Sequence, residues 1–204
     1  MKRPLVIFGA GNIAQVVNFY FERFSEYETV AYVVDDLYFQ EKAVFDRPCY
    51  PLSKALENQN LVRENWFIAL SYKRFNTIRQ EKFNLLMSLG VKLTNFIHPS
   101  NEINIYLSNS FNNLILENNI IQPFCKFGNN VFMWTNNHIG HHSNIDSNVF
   151  ISSGVVISGN TNIGENCFFG VNSSVIDNIT IGSRSWIGPG QTILTNLKPN
   201  SKIL

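Results

Sequence analysis

Charged residues are scarce in this sequence. Asp, Glu, Lys and Arg make up 15% of the 204 residues, and the formal net charge is +1. A chain of this kind has no extended basic surface, so it lacks the electrostatic attraction that nucleic-acid-binding proteins use. We therefore expect small-molecule or protein partners and no binding of nucleic acid.

Long apolar runs are also missing. The N-terminus, MKRPLVIFGAGN, carries two basic residues and a short apolar stretch that glycines interrupt. That stretch is too short for the apolar region of a signal peptide. The sequence contains no apolar span of about 18 residues, the length needed to cross a bilayer. We expect a soluble, cytoplasmic protein without membrane insertion.

Cysteine is rare as well. The three residues, Cys49, Cys125 and Cys167, have spacings that match no metal-ligand motif, so we predict no metal site. Cys125 and Cys167 fall on inward-facing positions of the repeat described next. Buried free thiols in a reducing compartment are the expected state.

The sequence is instead dominated by a strict period of six. Every sixth residue is apolar, fourteen times in succession: Ile115, Ile121, Phe127, Met133, Ile139, Ile145, Ile151, Ile157, Ile163, Phe169, Val175, Ile181, Ile187 and Ile193. Neither a helix nor a simple strand produces this period, and hexapeptide repeats are typical of a parallel β-helix. Three repeats form one triangular coil, so the run predicts between four and five coils. The exposed β surface favours association around a threefold axis.

Glycine follows the apolar residue in six of these repeats, at Gly128, Gly140, Gly164, Gly170, Gly182 and Gly188. We expect tight corners there, which need a residue without a Cβ. The position two before the apolar residue is mostly small or β-branched, which suits a narrow interior.

The N-terminal region follows a different pattern. Leu5–Phe8 predicts a strand that leads into the loop GAGNIA, and Thr29–Val34 predicts a second strand that ends at Asp35 and Asp36. Between them lies a predicted helix with one apolar face, formed by Ile13, Val16, Val17, Tyr20 and Phe24. A G-x-G-x-x-A loop between strand and helix predicts a phosphate- or nucleotide-binding turn, with helix N–H groups free for the ligand.

Further elements complete this region. The pattern predicts strands over 66–70 and 91–97, and a helix over 74–89 that stops at Gly90. About 98 residues are too few for two mononucleotide halves, so a hydride-transfer dehydrogenase is disfavoured. We predict a Rossmann-like nucleotide-binding domain over 1–99 and a β-helix domain over 100–204, with the composition changing from about Ile103.

Together these features resemble a known family. The segment IGHHSNIDSNVFISSGVVISGNTNIGENCFFGVNSSV is similar to left-handed β-helix acyltransferases. The small α/β region in front narrows the resemblance to NeuD/PglD-type sugar acetyltransferases. This resemblance covers nearly the whole chain and rests on the combination of the GxGxxA, DD, IHP and IGH motifs.

The resemblance implies an acetyl-CoA-dependent N-acetyltransferase acting on a nucleotide-linked 4-amino-4,6-dideoxy sugar. Such an enzyme serves the biosynthesis of a surface glycan such as a lipopolysaccharide O-antigen, a capsule or a glycoprotein glycan. A homotrimer is implied too, with acetyl-CoA between neighbouring β-helices and no metal. The substrate-binding candidates by this resemblance are Gly9, Gly11, Asn12, Ile13, Asp35, Asp36 and Arg79, with His138 as a further substrate-side or interface residue. The positions aligned with contacts to the CoA arm, largely through the backbone, are Phe150, Val171, Gly188, Pro189 and Gly190.

His141 falls on the family's catalytic histidine. A free histidine titrates near neutrality, so it can accept a proton from the sugar amine as that amine attacks the thioester. Many relatives carry Asp or Glu at the next position, whereas this chain has His142, which we include among the catalytic candidates. The group that orients His141 could be a backbone carbonyl, Asn137, Asn144 or Asp146.

Three other functions are compatible with parts of the pattern. O-acetylation of a sugar or a sialic acid would use the same base and CoA site. A γ-class carbonic anhydrase shares the β-helix but needs three zinc histidines from separated coils, whereas His138, His141 and His142 lie within one repeat. A non-catalytic nucleotide-sugar binder is the third alternative.

Overall fold

The computed structural model describes residues 2–101 and 110–204. The chain divides into two compact units, residues 1–71 with 81–94 and residues 72–80 with 95–204. The composition change predicted near Ile103 lies outside the described residues. In the parts of the chain that are described, no helix combines the length and the apolar character needed to span a bilayer.

The first unit is built on a parallel sheet. Its strands are β1 (Arg3–Phe8), β2 (Tyr27–Val34), β3 (Cys49–Pro51), β4 (Asn65–Ile68) and β5 (Lys92–Leu93). Their spatial order is β3-β2-β1-β4-β5. The helices are α1 (Asn12–Phe24), α2 (Leu52–Glu57), α3 (Gln59–Val62) and α4 (Thr77–Ser88), and a 3₁₀ turn spans Asp36–Tyr38. The division between the two units falls within α4.

Helices cover both faces of this sheet. Val6 and Phe8 of β1 belong to an apolar cluster that includes Phe83 of α4. On the opposite face, Phe67 of β4 contacts Phe21 of α1, with ring centroids 5.2 Å apart. Because successive strand residues are buried on alternate sides, the strands read as continuous apolar runs in the sequence.

Two expectations for this region need correction. The buried residues of α1 are Ala14, Val17 and Phe21, so the helix is rotated by about one position from the predicted apolar face. The predicted strand over 91–97 is two separate strands, β5 and β6 (Phe96–Ile97), and β6 pairs with the first strand of the second unit's repeat. Gly90 follows the end of α4 with a φ of 74°, as predicted for a helix terminus.

The second unit consists of short parallel strands. They are β6, β7 (Leu114–Ile115), β8 (Ile120–Ile121), β9 (Lys126–Phe127), β10 (Phe132–Met133), β11 (His138–Ile139), β12 (Asn144–Ile145), β13 (Phe150–Ile151), β14 (Val156–Ile157), β15 (Asn162–Ile163), β16 (Phe168–Phe169), β17 (Ser174–Val175), β18 (Thr180–Ile181), β19 (Trp186–Ile187), β20 (Thr192–Ile193) and β21 (Lys202–Ile203). Among the described residues they form sheets of seven, five and four strands. Strands pair with those of the next coil, as His138 does with Val156. This arrangement fits the predicted left-handed β-helix.

The apolar residues of the repeat form the interior of this unit. All fourteen are at most 9% exposed and belong to one core cluster, as the period of six predicts. Cys125 and Cys167 lie in the same core as free thiols, as expected. Burial raises the pKa of Cys167 to about 11, so its thiol stays protonated and unreactive at neutral pH.

Left-handed backbone conformations mark the corners of the coils. A positive φ recurs at every sixth residue from Asn112 to Gly190. Of these fourteen corner residues nine are Asn and two are Gly, and the others are Phe124, His142 and Arg184. Asn tolerates this conformation better than most residues with a Cβ. The corners therefore explain the asparagine content of this region, a connection that the sequence analysis did not make.

The repeat glycines have a different role from the one predicted. Gly140 and Gly170 do not occupy the left-handed corner positions. A Cβ on Gly140 would lie 2.3 Å from the backbone nitrogen of Gly159, and one on Gly170 would lie 2.5 Å from that of Pro189. These glycines are needed because the backbone of the next coil passes so close.

One sheet of the β-helix is covered by the segment of residues 72–80. Four successive strands of this sheet carry an outward-facing aromatic side chain, and these form an aromatic column of Phe132, Phe150, Phe168 and Trp186. The ring centroids of Phe168 and Trp186 are only 3.9 Å apart. Tyr72 lies against this column, 4.9 Å from the ring of Phe150 and 4.7 Å from that of Phe168. The segment thus removes this aromatic face from solvent.

The corner conformation leads to a test at Asn136, whose φ is 60° and whose side chain is exposed. Replacing Asn136 with Ala should lower the free energy of unfolding by about 1 kcal/mol, because Ala lacks the short polar side chain that helps Asn to adopt the left-handed backbone conformation. The matched control, Asn136→Gly, should be the more stable of the two variants, since Gly adopts the conformation without strain. Urea denaturation midpoints measure the difference, and equal midpoints for the two variants would contradict the explanation.

Candidate active site

His141 lies at an exposed corner of the β-helix, two residues after the end of β11. Its backbone is fixed between coils: the His141 N–H donates to Gln122 Oε1 (2.9 Å), and its carbonyl accepts from the Asn160 N–H (2.8 Å). Its ring lies over Gly159, where a Cβ would come within 2.8 Å of Cε1. The missing side chain of Gly159 therefore makes room for the imidazole.

His142 occupies the left-handed corner itself, with a φ of 59°. Its Nδ1 lies 3.1 Å from Nδ1 of His141, within hydrogen-bond distance, and its ring packs against that of Phe124 at a tilt of 36°, with centroids 4.7 Å apart. The structure thus brings the two histidines predicted to be catalytic into direct contact. Their Nδ1 atoms can be bonded in this way only if one is a donor and the other an acceptor.

His138 lies on a sheet face and not at this corner. It pairs in register with Ile120 on one side and Val156 on the other, and its side chain is partly buried. Its outward neighbours are therefore apolar. His138 therefore takes no part in the contact between His141 and His142.

A depression of about 460 Å³ opens beside His142. It is lined by Phe124, Lys126, His142, Ser143, Asn144 and Asn162. Lys126, which is not among the residues predicted from the sequence, adds a cationic side chain to this depression. The signal was present, because Lys126 precedes a repeat residue and so faces outward from β9.

Four of the five candidates for the CoA arm lie at a single corner. Val171 is 47% exposed, and its carbonyl accepts a hydrogen bond from the N–H of Gly190 (2.9 Å) in the next coil, which also carries Gly188 and Pro189. Phe150 lies elsewhere. Its ring is 3% exposed within the aromatic column, so its side chain is not accessible to a ligand.

Arg79 is completely buried within the second unit. Its Nε donates to Asn130 Oδ1 (3.1 Å), and its Nη2 donates to the carbonyls of Asn130 (3.2 Å) and Asn148 (3.3 Å). The guanidinium also lies 4.2 Å from the ring centroid of Phe132, a cation–π contact. Burial lowers the pKa of Arg79 to about 9, so it remains charged at neutral pH. These contacts indicate a structural role, and the prediction that Arg79 binds substrate is not supported.

The glycine loop lies between β1 and α1, at the carboxyl end of the sheet. Gly9 has a φ of 124°, and a Cβ there would lie 2.8 Å from the carbonyl oxygen of Ala69, which follows β4. Gly11 faces open space and precedes the N-terminus of α1. Within the described residues, no side chain caps this helix N-terminus. The chain order reverses between β1 and β4, which is where open parallel sheets bind ligands.

Asp35 and Asp36, which follow β2, already have partners. Asp35 forms an ion pair with Lys82 of α4, whose Nζ lies 5.7 Å from the ring centroid of Phe8. Asp36 Oδ1 accepts from the Ser53 N–H (3.0 Å) at the start of α2, and this bond lowers the pKa of Asp36. The contact therefore stabilises the fold above the ordinary carboxyl pKa, and it is lost as the pH falls through the lowered value.

A shallow depression of about 350 Å³ adjoins these residues and is lined by Asp35, Asp36, Leu52, Ser53 and Leu56. Lys82 is a further candidate that the sequence analysis missed, since only the folded sheet brings α4 next to the end of β2. Among the described residues no group of three or more His, Cys, Asp or Glu side chains could hold a metal ion.

Comparison with known proteins places this architecture among solved structures. No protein-family model matches the chain, and neither does any curated protein. The acetyltransferase domain of PglB from Neisseria gonorrhoeae FA1090 is 25% identical over 98% of this chain and 96% of its own, with a TM-score of 0.80. The same domain in complex with acetyl coenzyme A gives a TM-score of 0.83 at 23% identity, over 99% of this chain and 96% of its own.

A third structure is an asparagine variant, at a histidine, of perosamine N-acetyltransferase from Caulobacter crescentus, in complex with CoA and GDP-perosamine. Its TM-score is 0.72 at 20% identity, over 98% of this chain and 92% of that protein. The resemblance to sugar acetyltransferases of the hexapeptide-repeat β-helix type, which the sequence indicates, is thus confirmed by solved structures.

Proposed function

We propose that this protein is an acetyl-CoA-dependent N-acetyltransferase acting on a nucleotide-linked amino sugar of the 4-amino-4,6-dideoxyhexose type. The observation that carries the proposal is the exposed imidazole of His141, held at a β-helix corner over Gly159. It occurs in a chain whose fold is similar to an acetyltransferase domain bound to acetyl-CoA and to an N-acetyltransferase bound to GDP-perosamine. The product would serve a surface glycan.

The proposed reaction is direct transfer. The sugar amine attacks the thioester carbonyl of acetyl-CoA, and His141 accepts the proton that the nitrogen loses. A C–N bond forms, the C–S bond breaks, and CoA leaves as a thiolate to which the imidazolium can return the proton. Because the acceptor attacks the thioester itself, no covalent enzyme intermediate is required.

The first unit is proposed to bind the nucleotide, as a Rossmann-like domain does. The uncapped N-terminus of α1 offers N–H groups and the positive end of a helix dipole to a phosphate. Gly11 leaves open space there, and the strand order reverses beside it. Asp35 and Lys82 add a carboxylate and an ammonium group for the ribose, base or phosphates.

A homotrimer is proposed because the three outer faces of the β-helix differ. One is the covered aromatic column. A second carries Lys126 and the asparagines Asn144 and Asn162, which suit contact with water. The third exposes uncharged side chains, with Ile120 at 62% and Val156 at 43% exposure. An apolar strip of this kind favours contact with another copy of the chain.

Acetyl-CoA is proposed to bind in the cleft that this association creates. The exposed corner of Val171 and Gly188–Gly190 would supply one wall, with backbone groups that can follow the CoA arm. The neighbouring copy would supply the other wall. This proposal makes activity depend on the assembled trimer.

A panel of UDP-, GDP- and dTDP-linked amino sugars with acetyl-CoA tests the function. Mass spectrometry should detect a product heavier by one acetyl group with one nucleotide class, together with release of one free CoA thiol. Matched sugars that carry a hydroxyl in place of the amine should not react. Acetylation of those hydroxyl sugars would indicate an O-acetyltransferase, and binding without turnover across the panel would indicate a non-catalytic binder.

Replacing His141 with Asn should lower turnover at least about 100-fold, because the general base is lost while a polar side chain of similar shape remains. Gly159→Ala should also lower turnover, since the new methyl group would displace the ring of His141. Steady-state kinetics with the accepted sugar measure both effects. His98→Asn serves as the control and should keep wild-type turnover, because His98 contacts Ser100 (Nδ1 to Oγ, 2.9 Å) and not the histidine pair. Full activity of the His141 variant would remove His141 from the mechanism.

Replacing Asp35 with Asn should raise the KM for the nucleotide sugar about five- to tenfold, the loss of roughly one hydrogen bond. The KM for acetyl-CoA should not change. Asp36→Asn is the matched variant, and it should mainly weaken the start of α2, detected as a lower melting temperature. Equal increases in both KM values for the Asp35 variant would point to misfolding and would count against a nucleotide contact.

A further inference from the structure

The corner that carries the histidine pair departs from the rule that the other corners follow. Eleven of the fourteen left-handed corner positions are Asn or Gly, which adopt this conformation most readily. Phe124 and His142 are exceptions, and they are neighbours, since they occupy the same corner in successive coils and their rings are in contact. Phe124 is the unfavoured residue of this pair, because a bulky side chain rarely adopts this conformation, and such residues cluster at functional sites.

The contact between the two imidazoles determines how His141 can act. The Nδ1 atom of His141 is engaged with Nδ1 of His142 at 3.1 Å, so proton transfer from a substrate must use Nε2. For Nε2 to be an acceptor in the neutral ring, Nδ1 must carry the hydrogen. His142 then has to be the acceptor in this bond, through its unprotonated Nδ1.

The other groups considered for orienting His141 have different partners. Asn137 is 1% exposed, its Nδ2 donates to Asn119 Oδ1 (2.8 Å), and its Oδ1 accepts from the Val155 N–H (2.7 Å). Asn144 Nδ2 donates to Asp146 Oδ1 (2.9 Å). His142 is therefore the group whose position matches the role.

We propose that His142 is a positioning residue that fixes the orientation and the tautomer of His141, in the place where relatives carry a carboxylate. Phe124 holds the ring of His142 from the preceding coil, so that its Nδ1 faces His141. The inference rests on the proposed function, because it assumes that His141 is the base.

A neutral acceptor differs from a carboxylate in one measurable way. A carboxylate stabilises the imidazolium that forms when His141 takes a proton, whereas a neutral imidazole only directs the hydrogen. If both rings were protonated, both Nδ1 atoms would be donors and the bond would be lost. Lys126, which lines the same depression as His142, adds a further positive charge nearby.

The first test compares corner variants that keep the backbone conformation. His142→Gly should lower kcat about 10- to 100-fold, the usual effect of removing a group that orients a histidine, with both KM values within about twofold. His142→Asp should restore at least part of kcat and move the acidic limb of the pH–rate profile to higher pH, because of the added negative charge. Asn178→Gly, at the corresponding corner two coils further on, should behave as wild type.

The second test does not depend on activity. In ¹⁵N-histidine NMR spectra of the wild type, assigned with the His141→Asn and His142→Gly variants, His141 should be in the Nδ1–H tautomer. The His142→Gly variant should lose that preference.

These results separate the two proposals. Wild-type kcat in His142→Gly, or an Nε2–H tautomer for His141 in the wild type, would overturn the positioning role while leaving the transferase function in place. Failure of the substrate panel together with an Nδ1–H tautomer would instead overturn the proposed function and leave the pairing of the two rings intact.

Discussion

The second unit depends on one constraint: the backbone must turn through a left-handed conformation three times in each coil. Only then does every coil lie directly on the next, with strands pairing in register and apolar residues such as Ile139 and Ile157 stacked inside. The constraint determines the residue types that come before and after each short strand of the β-helix. Asparagine and glycine meet it at the corners, and glycines such as Gly140 allow the close approach of the following coil. Composition, fold and site geometry in this unit all follow from it.

The interior of the β-helix is the same behind all three outer faces. The faces therefore differ only in their outward-facing side chains. A triangular coil has no structural preference for which face is covered, so the outward-facing side chains determine which face packs against another segment. An aromatic column on one side binds the segment of residues 72–80, and buried Arg79 is secured there by Asn130, Asn148 and the ring of Phe132. The cost of burying a guanidinium is offset by several carbonyl contacts and a ring face. Of the remaining two sides, one carries Lys126 and asparagines and the other carries the exposed Ile120 and Val156.

Much of this architecture can be predicted from the sequence, because the inward residues repeat without a miss and the first strand, loop and helix follow one another directly. The sequence also contains the corner signal, because an Asn or Gly lies three residues before eleven of the fourteen repeat residues. Asparagine occurs in many kinds of turn, however, so its recurrence alone does not predict a left-handed corner. The role of Arg79 could not be predicted, since its partners Asn130 and Asn148 are distant in the chain. The ion pair of Lys82 with Asp35 could not be predicted for the same reason, because only the packing of α4 brings the two side chains together.

The corner constraint also limits which residue can follow His141. The residue at position 142 must adopt a φ near 60°, which strongly favours Gly, Asn, Asp or His over other types. Of these, Gly has no side chain to orient a neighbour, whereas Asp and His can accept a hydrogen bond from an imidazole. A change from carboxylate to imidazole at this corner is therefore among the few substitutions that satisfy the backbone and the neighbouring ring together. A neutral imidazole at this corner can direct the hydrogen of the neighbouring ring as a carboxylate would, but it brings no negative charge.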